Sequence, residues 1–223
     1  LSSMARGDPV YRDSFGATEH NDFSINVETP SSSSVGFYSE DTVQSVIWDA
    51  FDSAADANDN VNLGFGPIHA AMSGPARTGS ALTTLYPLMR ALTTSSPSQS
   101  AALGQLLTAQ QVVVPSDDFG SGESNSGGDA RNLPIFAVLT PGTPLANVCS
   151  TIAAGTTNHL GNRKLLRFDV AGTRAASIAV TGPTTPTSSD PDMVLYAAGV
   201  ERARAESNTA GSESLTATSL TTG

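Results

Sequence analysis

Three histidines, one cysteine and twenty-one acidic residues are the groups in this chain able to hold a metal or move a proton near neutral pH. None of the histidines opens the pattern H-E-x-x-H, in which two imidazoles one helical turn apart bind zinc and the glutamate between them activates its water. His20 is followed by Asn21, His69 by Ala70 and His159 by Leu160. His20 stands in a polar, acidic stretch and reads as a surface residue. His69, beside Ile68 and close to Met72, reads as packed or hydrogen-bonded inside a helical unit. His159, in a Gly/Asn-rich turn, reads as exposed. Cys149, the only cysteine, supplies neither an intrachain disulfide nor a cysteine zinc cluster, and reads as a small buried residue. No serine stands in G-x-S-x-G, and neither phosphate-binding glycine pattern occurs.

Oxygen-rich turns are the other candidates. Asp52, Asp56 and Asn58, with Asp59 and Asn60 beside them, offer the carboxylates and amides that calcium prefers. The EF-hand spacing is not met, since Val61 stands where that loop needs Gly and Pro67 where it needs a bidentate Glu. Asp190 and Asp192, on either side of Pro191, form a second calcium candidate. In both places the competing reading is a turn whose aspartate bonds its own backbone.

The elements that must position these groups are legible in part. In Ser39–Ala54, Ser39 is a helix N-cap and Glu40 and Asp41 suit the positive end of the helix dipole. Val43, Val46, Ile47, Ala50, Phe51 and Ala54 form one apolar face, with Asp41, Ser45, Asp49 and Asp52 opposite. Further helices are expected from Gly66-Pro67 to Met72, from Ser80 to Thr93 with a kink at Pro87, and from Ser96-Pro97 through Ala109. Residues 1–111 therefore read as all-helical. Pro115–Gly128 is a loop by composition. Strands are expected at 133–140, 164–170, 176–180, 193–197 and 214–217. The fold class that follows is α+β and multidomain: an all-α helical unit over 1–111, a linker with short strands over 112–160, and an incomplete antiparallel β-sandwich over 161–223. Leu1–Arg6 reads as the end of a helix and Leu220–Gly223 as the lead-in to a strand, so the expectation is a piece of a longer chain.

Composition narrows the function. The net charge of −10 repels nucleic acid and anionic membranes. No run approaches the length of apolar residues that spans a bilayer. A Ser/Thr/Gly-rich, acidic chain with Lys164 as its one lysine suits a secreted, extracellular protein.

Two stretches resemble known families. Leu165–Val170, Ala176–Gly182, Ser189–Tyr196 and the closing Leu220-Thr221-Thr222-Gly223 resemble the bacterial pre-peptidase C-terminal domain. That resemblance implies a small β-sandwich beside a secreted peptidase, similar to modules that bind polysaccharide or collagen. Leu1–Met4, Gly7–Asp13 and Gly36–Asp49 resemble the region after the zinc site of a gluzincin, a thermolysin- or fungalysin-like metallopeptidase. Here the resemblance implies peptide-bond hydrolysis of protein or peptide substrates by the parent protein. Its zinc ligands and general base would lie before residue 1, and this piece would be inactive alone. The chain would supply a cleft wall, with Tyr38 and His20, then Tyr11, as candidate donors to the oxyanion of the tetrahedral intermediate. Asp49 is a candidate anchor behind the ligands. The alternative expectation is a non-enzymatic secreted binding or adhesion module assisted by calcium.

Overall fold

Ser39 begins the best-defined helix. Its backbone is extended (φ −91°, ψ 126°) and its Oγ accepts the N–H of Thr42, so one orphan donor of the first turn is satisfied. In this computed structural model, residues 2–14, 22–29, 35–53, 59–149, 163–182, 190–208 and 210–221 are described. The helices are α1 (Ser2–Arg6), α2 (Glu40–Phe51), α3 (Phe65–Ser73), α4 (Pro75–Thr78), α5 (Leu85–Ser95) and α6 (Ser100–Ala109). The strands are β1 (Val10–Ser14), β2 (Asp22–Asn26), β3 (Phe136–Val138), β4 (Leu165–Arg167), β5 (Arg174–Thr181), β6 (Met193–Ala197), β7 (Val200–Ala205) and β8 (Ser212–Leu220). The chain divides into two units: Leu1–Ala76 with Thr84–Arg167, and Arg77–Thr83 with Phe168–Gly223. The fold is therefore mixed, with helices and small sheets.

In the first unit α5 packs on α3 and α6, and α2 packs on the same two helices. Leu85, Leu88, Met89 and Leu92 recur at the spacing of one helical face and are all buried, as are Leu103, Leu106 and Leu107 of α6 and Ile68 and Ala71 of α3. Each of the buried leucine, isoleucine and methionine side chains contributes about 1.5–3 kcal/mol. Three expectations need correction here. Pro87 makes no break, because α5 starts at Leu85 and places the proline in the first turn, where a missing N–H costs nothing. The opposite side of α2 is not solvated: Thr42, Ser45 and Trp48 are buried along with Val46 and Ala50. The indole N–H of Trp48 donates to Glu28 just beyond β2, and the Thr42 hydroxyl donates to Gln110 after α6, so α2 is covered on more than one side. Finally, residues 1–111 are not all-helical, since β1 and β2 pair antiparallel, Tyr11 opposite Ile25. β3 and β4, both within stretches expected as strands, pair in parallel.

The second unit holds two antiparallel pairs, β5 with β8 and β6 with β7. The β6–β7 hairpin lies between β5 and β8 in sequence, and both its strands touch β8. Alternation assigns the inner faces: Ala176, Ile178 and Val180 on β5, Met193 and Leu195 on β6, Ala203 and Ala205 on β7, Leu215 and Ala217 on β8. A bulge opposite Ala175 shifts the phase, so Leu220 is buried rather than Ser219. Leu220 thus ends a strand that starts at Ser212, rather than leading into one.

Ala198-Gly199 is the two-residue turn of the β6–β7 hairpin, and both residues have positive φ (50° and 73°). That is the turn whose twist matches the strands, yet alanine pays a steric cost there that glycine does not. Ala198→Gly should therefore raise the stability of this unit by about 1 kcal/mol, read by urea unfolding. An unchanged or lowered midpoint would show that the hairpin is not held in this turn.

Candidate functional site

The most elaborate polar arrangement lies on the loop after α6. Gln111 has φ 54° and turns the chain out of the helix, and Val112 donates its N–H back to Leu107. The loop then returns across α5. Its centre is Glu123, only 8% exposed. Oε2 accepts the Tyr86 hydroxyl at 2.6 Å and the Val113 N–H at 3.0 Å. Oε1 accepts the N–H groups of Ser124 and Asn125 at 2.8 and 2.7 Å. Burial, followed by the hydrogen bond to Glu123, pushes the Tyr86 phenol far above its ordinary range. Tyr86 thus keeps its proton at neutral pH and donates it to Glu123.

The rest of the loop is fastened in the same manner. Arg90 of α5 donates to Asp118 Oδ1 at 2.8 Å and to the Ser116 carbonyl at 2.6 Å. Asp117 Oδ1 accepts the N–H groups of Phe119 and Ser121. Desolvation opposes its charge, but the Ser121 and Phe119 hydrogen bonds and the Arg167 guanidinium outweigh it and hold Asp117 below its ordinary value. Arg167 lies over the Phe119 ring, 4.2 Å from its centre. Two glycines are required by contact: a Cβ on Gly120 would stand 2.8 Å from the Tyr86 ring, and one on Gly127 would stand 2.6 Å from the Tyr38 ring. Both have positive φ as well (61° and 64°).

Beside this loop an open groove of about 850 Å³ runs along α6, lined by Asn60, Gly104, Gln105, Thr108 and Val114 among others. None of its lining residues titrates, so it can exchange hydrogen bonds but not protons. In the second unit an open groove of about 490 Å³ lies beside Glu213 and the hydroxyls of Thr181, Ser207, Ser212 and Ser214. Glu213 occupies an inward position of β8, 7% exposed, and accepts the Ser207 N–H at 2.6 Å. Hydrogen bonds from Ser207, and then from the Ser214 N–H, hold its carboxyl below the ordinary value against desolvation.

The residues singled out from sequence do not converge. Tyr38 donates its hydroxyl to the Val35 carbonyl at 2.8 Å and packs its ring under Gly36 and Gly127. Tyr11 donates to Asp13 at 2.6 Å, which raises the Tyr11 pKa. Both phenols thus already hold a local acceptor. His20, His159, Asp56 and Asn58 lie outside the described residues. His69 is not interior: it lies on the exposed side of α3, stacked on Phe65 at 5.6 Å. Cys149 is not buried but exposed and free. Asp52 caps the C-terminus of α2, Asp49 is half-buried on that helix, and Asp190 and Asp192 are exposed. Among the described residues no three His, Cys, Asp or Glu side chains are grouped as a metal would need, and no helix is long and apolar enough to cross a membrane. Glu123 and Glu213 were not singled out from sequence. The only signal is a lone Glu where charge is out of place: in a Gly/Ser loop, and on the inward phase of a strand.

No family model, curated protein or solved structure matches the chain.

Two outcomes follow from these positions. Without denaturant, one thiol per chain should react with Ellman's reagent at the rate of a small-molecule thiol; slow labelling that needs denaturant would place Cys149 inside. The lowered Glu213 pKa means a contribution that is present above the ordinary value of 4.5 and is lost as pH falls below it. Unfolding midpoints should therefore fall on acidification, and Glu213→Gln should flatten part of that fall. Identical pH profiles for the two proteins would remove Glu213 from the account.

Proposed function

We propose that this chain belongs to a secreted zinc-dependent peptidase, as the helical region behind the metal site followed by part of an antiparallel β-sandwich accessory domain. One observation carries the reading: the stretches that bear the two resemblances coincide with structural centres. Gly36–Asp49 contains the Ser39 cap and most of buried α2. Ala176–Thr181, Met193–Tyr196 and Leu220 fall on β5, β6 and β8, and the alternation along these strands supports the sandwich reading. The match is not uniform, since Leu165–Arg167 forms β4 and pairs with β3 in the first unit.

In this reading the role of residues 1–111 is mechanical. Four helices with a buried apolar seam make a stiff wall, and a metallopeptidase needs such a wall so that the peptide and the metal-bound water meet in fixed geometry. The described residues do not themselves fit a zinc ion, and no hydrolytic step is assigned to them. The resemblance puts the ligands and general base before residue 1, and the substrate class is peptide or protein. Secretion and the accessory role of the second unit rest on the same resemblance.

The protein as its gene encodes it should be exported and should hydrolyse casein. 1,10-Phenanthroline should abolish that activity, and added zinc should restore it. Hydrolysis that survives the chelator, or an exported protein with no peptidase activity, would overturn the reading. Calcium-dependent binding of polysaccharide or collagen without hydrolysis would replace it with an adhesion module.

A further inference from the structure

Residues 140–149, which follow β3, are exposed without a break. Among the described residues their backbone makes one hydrogen bond, from the Thr143 N–H to the Thr140 carbonyl. Leu145 and Val148 hold their side chains in water, 42% and 47% exposed. Residues 132–162 contain no Asp, Glu, Lys or Arg, so no charge here keeps an apolar cleft away.

We infer that residues 140–149 are a cleavage site for endopeptidases whose primary pocket takes a large apolar side chain, cut after Leu145, and that the two pieces stay assembled as one protein.

An endopeptidase does not cut a helix or a paired strand in place. It binds several residues in extended form, with backbone groups free to pair with its cleft. A folded substrate is therefore cut first where no local unfolding is needed. Residues 140–149 meet that condition, and the other exposed Leu, Phe and Tyr side chains among the described residues do not. Phe65 begins α3, Tyr196 lies in β6 opposite Glu201, and Leu82 sits in a short turn between buried Ala81 and buried Leu85. In the other long loop, the N–H groups of Val113, Phe119, Ser121, Ser124 and Asn125 are all bound by Glu123 or Asp117.

Within 140–149 the bonds before Pro141 and Pro144 are tertiary amides, whereas Leu145–Ala146 is an ordinary secondary amide. Water is the co-reactant. The C–N bond between Leu145 and Ala146 breaks, the Leu145 carbonyl takes the oxygen as a carboxylate, and Ala146 leaves as an ammonium with both hydrogens.

The cut frees neither piece. β4, which lies after it, pairs with β3, which lies before it, from Phe136–Leu165 to Val138–Arg167. The Leu139 N–H donates to the Arg167 carbonyl at 2.7 Å, and Lys164 Nζ donates to the Arg131 and Pro134 carbonyls, each at 2.9 Å. Arg167 also covers the Phe119 ring. Arg77–Thr83, from the piece before the cut, belongs to the same compact unit as Phe168–Gly223. One chain thus becomes a two-piece protein whose unfolding midpoint rises with concentration. The cleaving enzyme is a partner, so the inference stands apart from the zinc-peptidase reading.

Trace chymotrypsin, whose primary pocket is an apolar slot, tests this on the intact folded chain. Mass spectrometry of the early products should show residues 1–145 and 146–223 as the first pair. The cut protein should elute from gel filtration in one peak at the parent's volume, and in two peaks in urea. Leu145→Glu, at an exposed position, should slow that first cut about tenfold or more and leave the unfolding midpoint of the uncut chain unchanged. A first cut at any other bond, a first-cut rate that Leu145→Glu leaves unaltered, or pieces that part on gel filtration without urea would overturn the inference.

Discussion

Tyr86 stands in the first turn of α5 with its ring buried and its hydroxyl 2.6 Å from a carboxylate that is itself nine-tenths out of water. The non-helical chain between α6 and Asp129 depends on that contact. A buried charge without a counter-ion is tolerated only when its hydrogen-bonding capacity is filled. Glu123 fills it by drawing in Val113, Ser124 and Asn125, and the geometry of those three N–H groups then dictates the path of the loop. Asn125 passes the constraint on, since its amide donates to both Val35 and Gln111 and so joins the N-cap region of α2 to the end of α6. Glycine at positions 120 and 127 is a corollary, because the aromatic rings of Tyr86 and Tyr38 occupy the space a side chain would need.

The second unit is built on a different economy. Its inner faces are small: Ala176, Ala203, Ala205 and Ala217 alternate with a few larger residues such as Ile178 and Leu215. A thin apolar layer gives little burial energy. The β-bulges and the carboxylate of Glu213 carry correspondingly more of the definition of register. One bulge brings Leu220 inward, and Glu213 binds the Ser207 backbone at the turn before β8.

These differences decide what was legible beforehand. The helices α2, α3, α5 and α6 were readable because their buried residues are large and repeat at 3.6, and because Ser39 and Pro97 mark starts. Even there the extent of burial on α2 was not, since Ser45 and Thr42 are buried by other segments, a long-range fact no local period contains. Strands β5, β6 and β8 were visible as alternation, whereas β7 was not, because its inward residues are Ala203 and Ala205 and its outward ones are charged. The β1–β2 pair escaped for a similar reason: five-residue strands carrying Arg12, Asp13 and Ser24 show little contrast between faces. Of the candidate site residues, Tyr11 and Tyr38 were found by type, but type says nothing of a hydroxyl already committed to Asp13 or to Val35. Glu123 shows the converse: its surroundings in sequence are those of a solvated loop, and only the tertiary fold makes it the hub.

The nesting of the β6–β7 hairpin between β5 and β8 also sets an order of events in time. The hairpin closes through a two-residue turn, a local step of microseconds. The pairs Ile178–Leu215 and Val180–Glu213 join positions more than thirty residues apart, so β5 and β8 meet only after a large loss of chain entropy. A hairpin already formed shortens that search by holding the intervening chain folded back on itself. The chain-entropy cost of joining β5 to β8 then depends in part on Ala198-Gly199, the turn that keeps the intervening chain folded back.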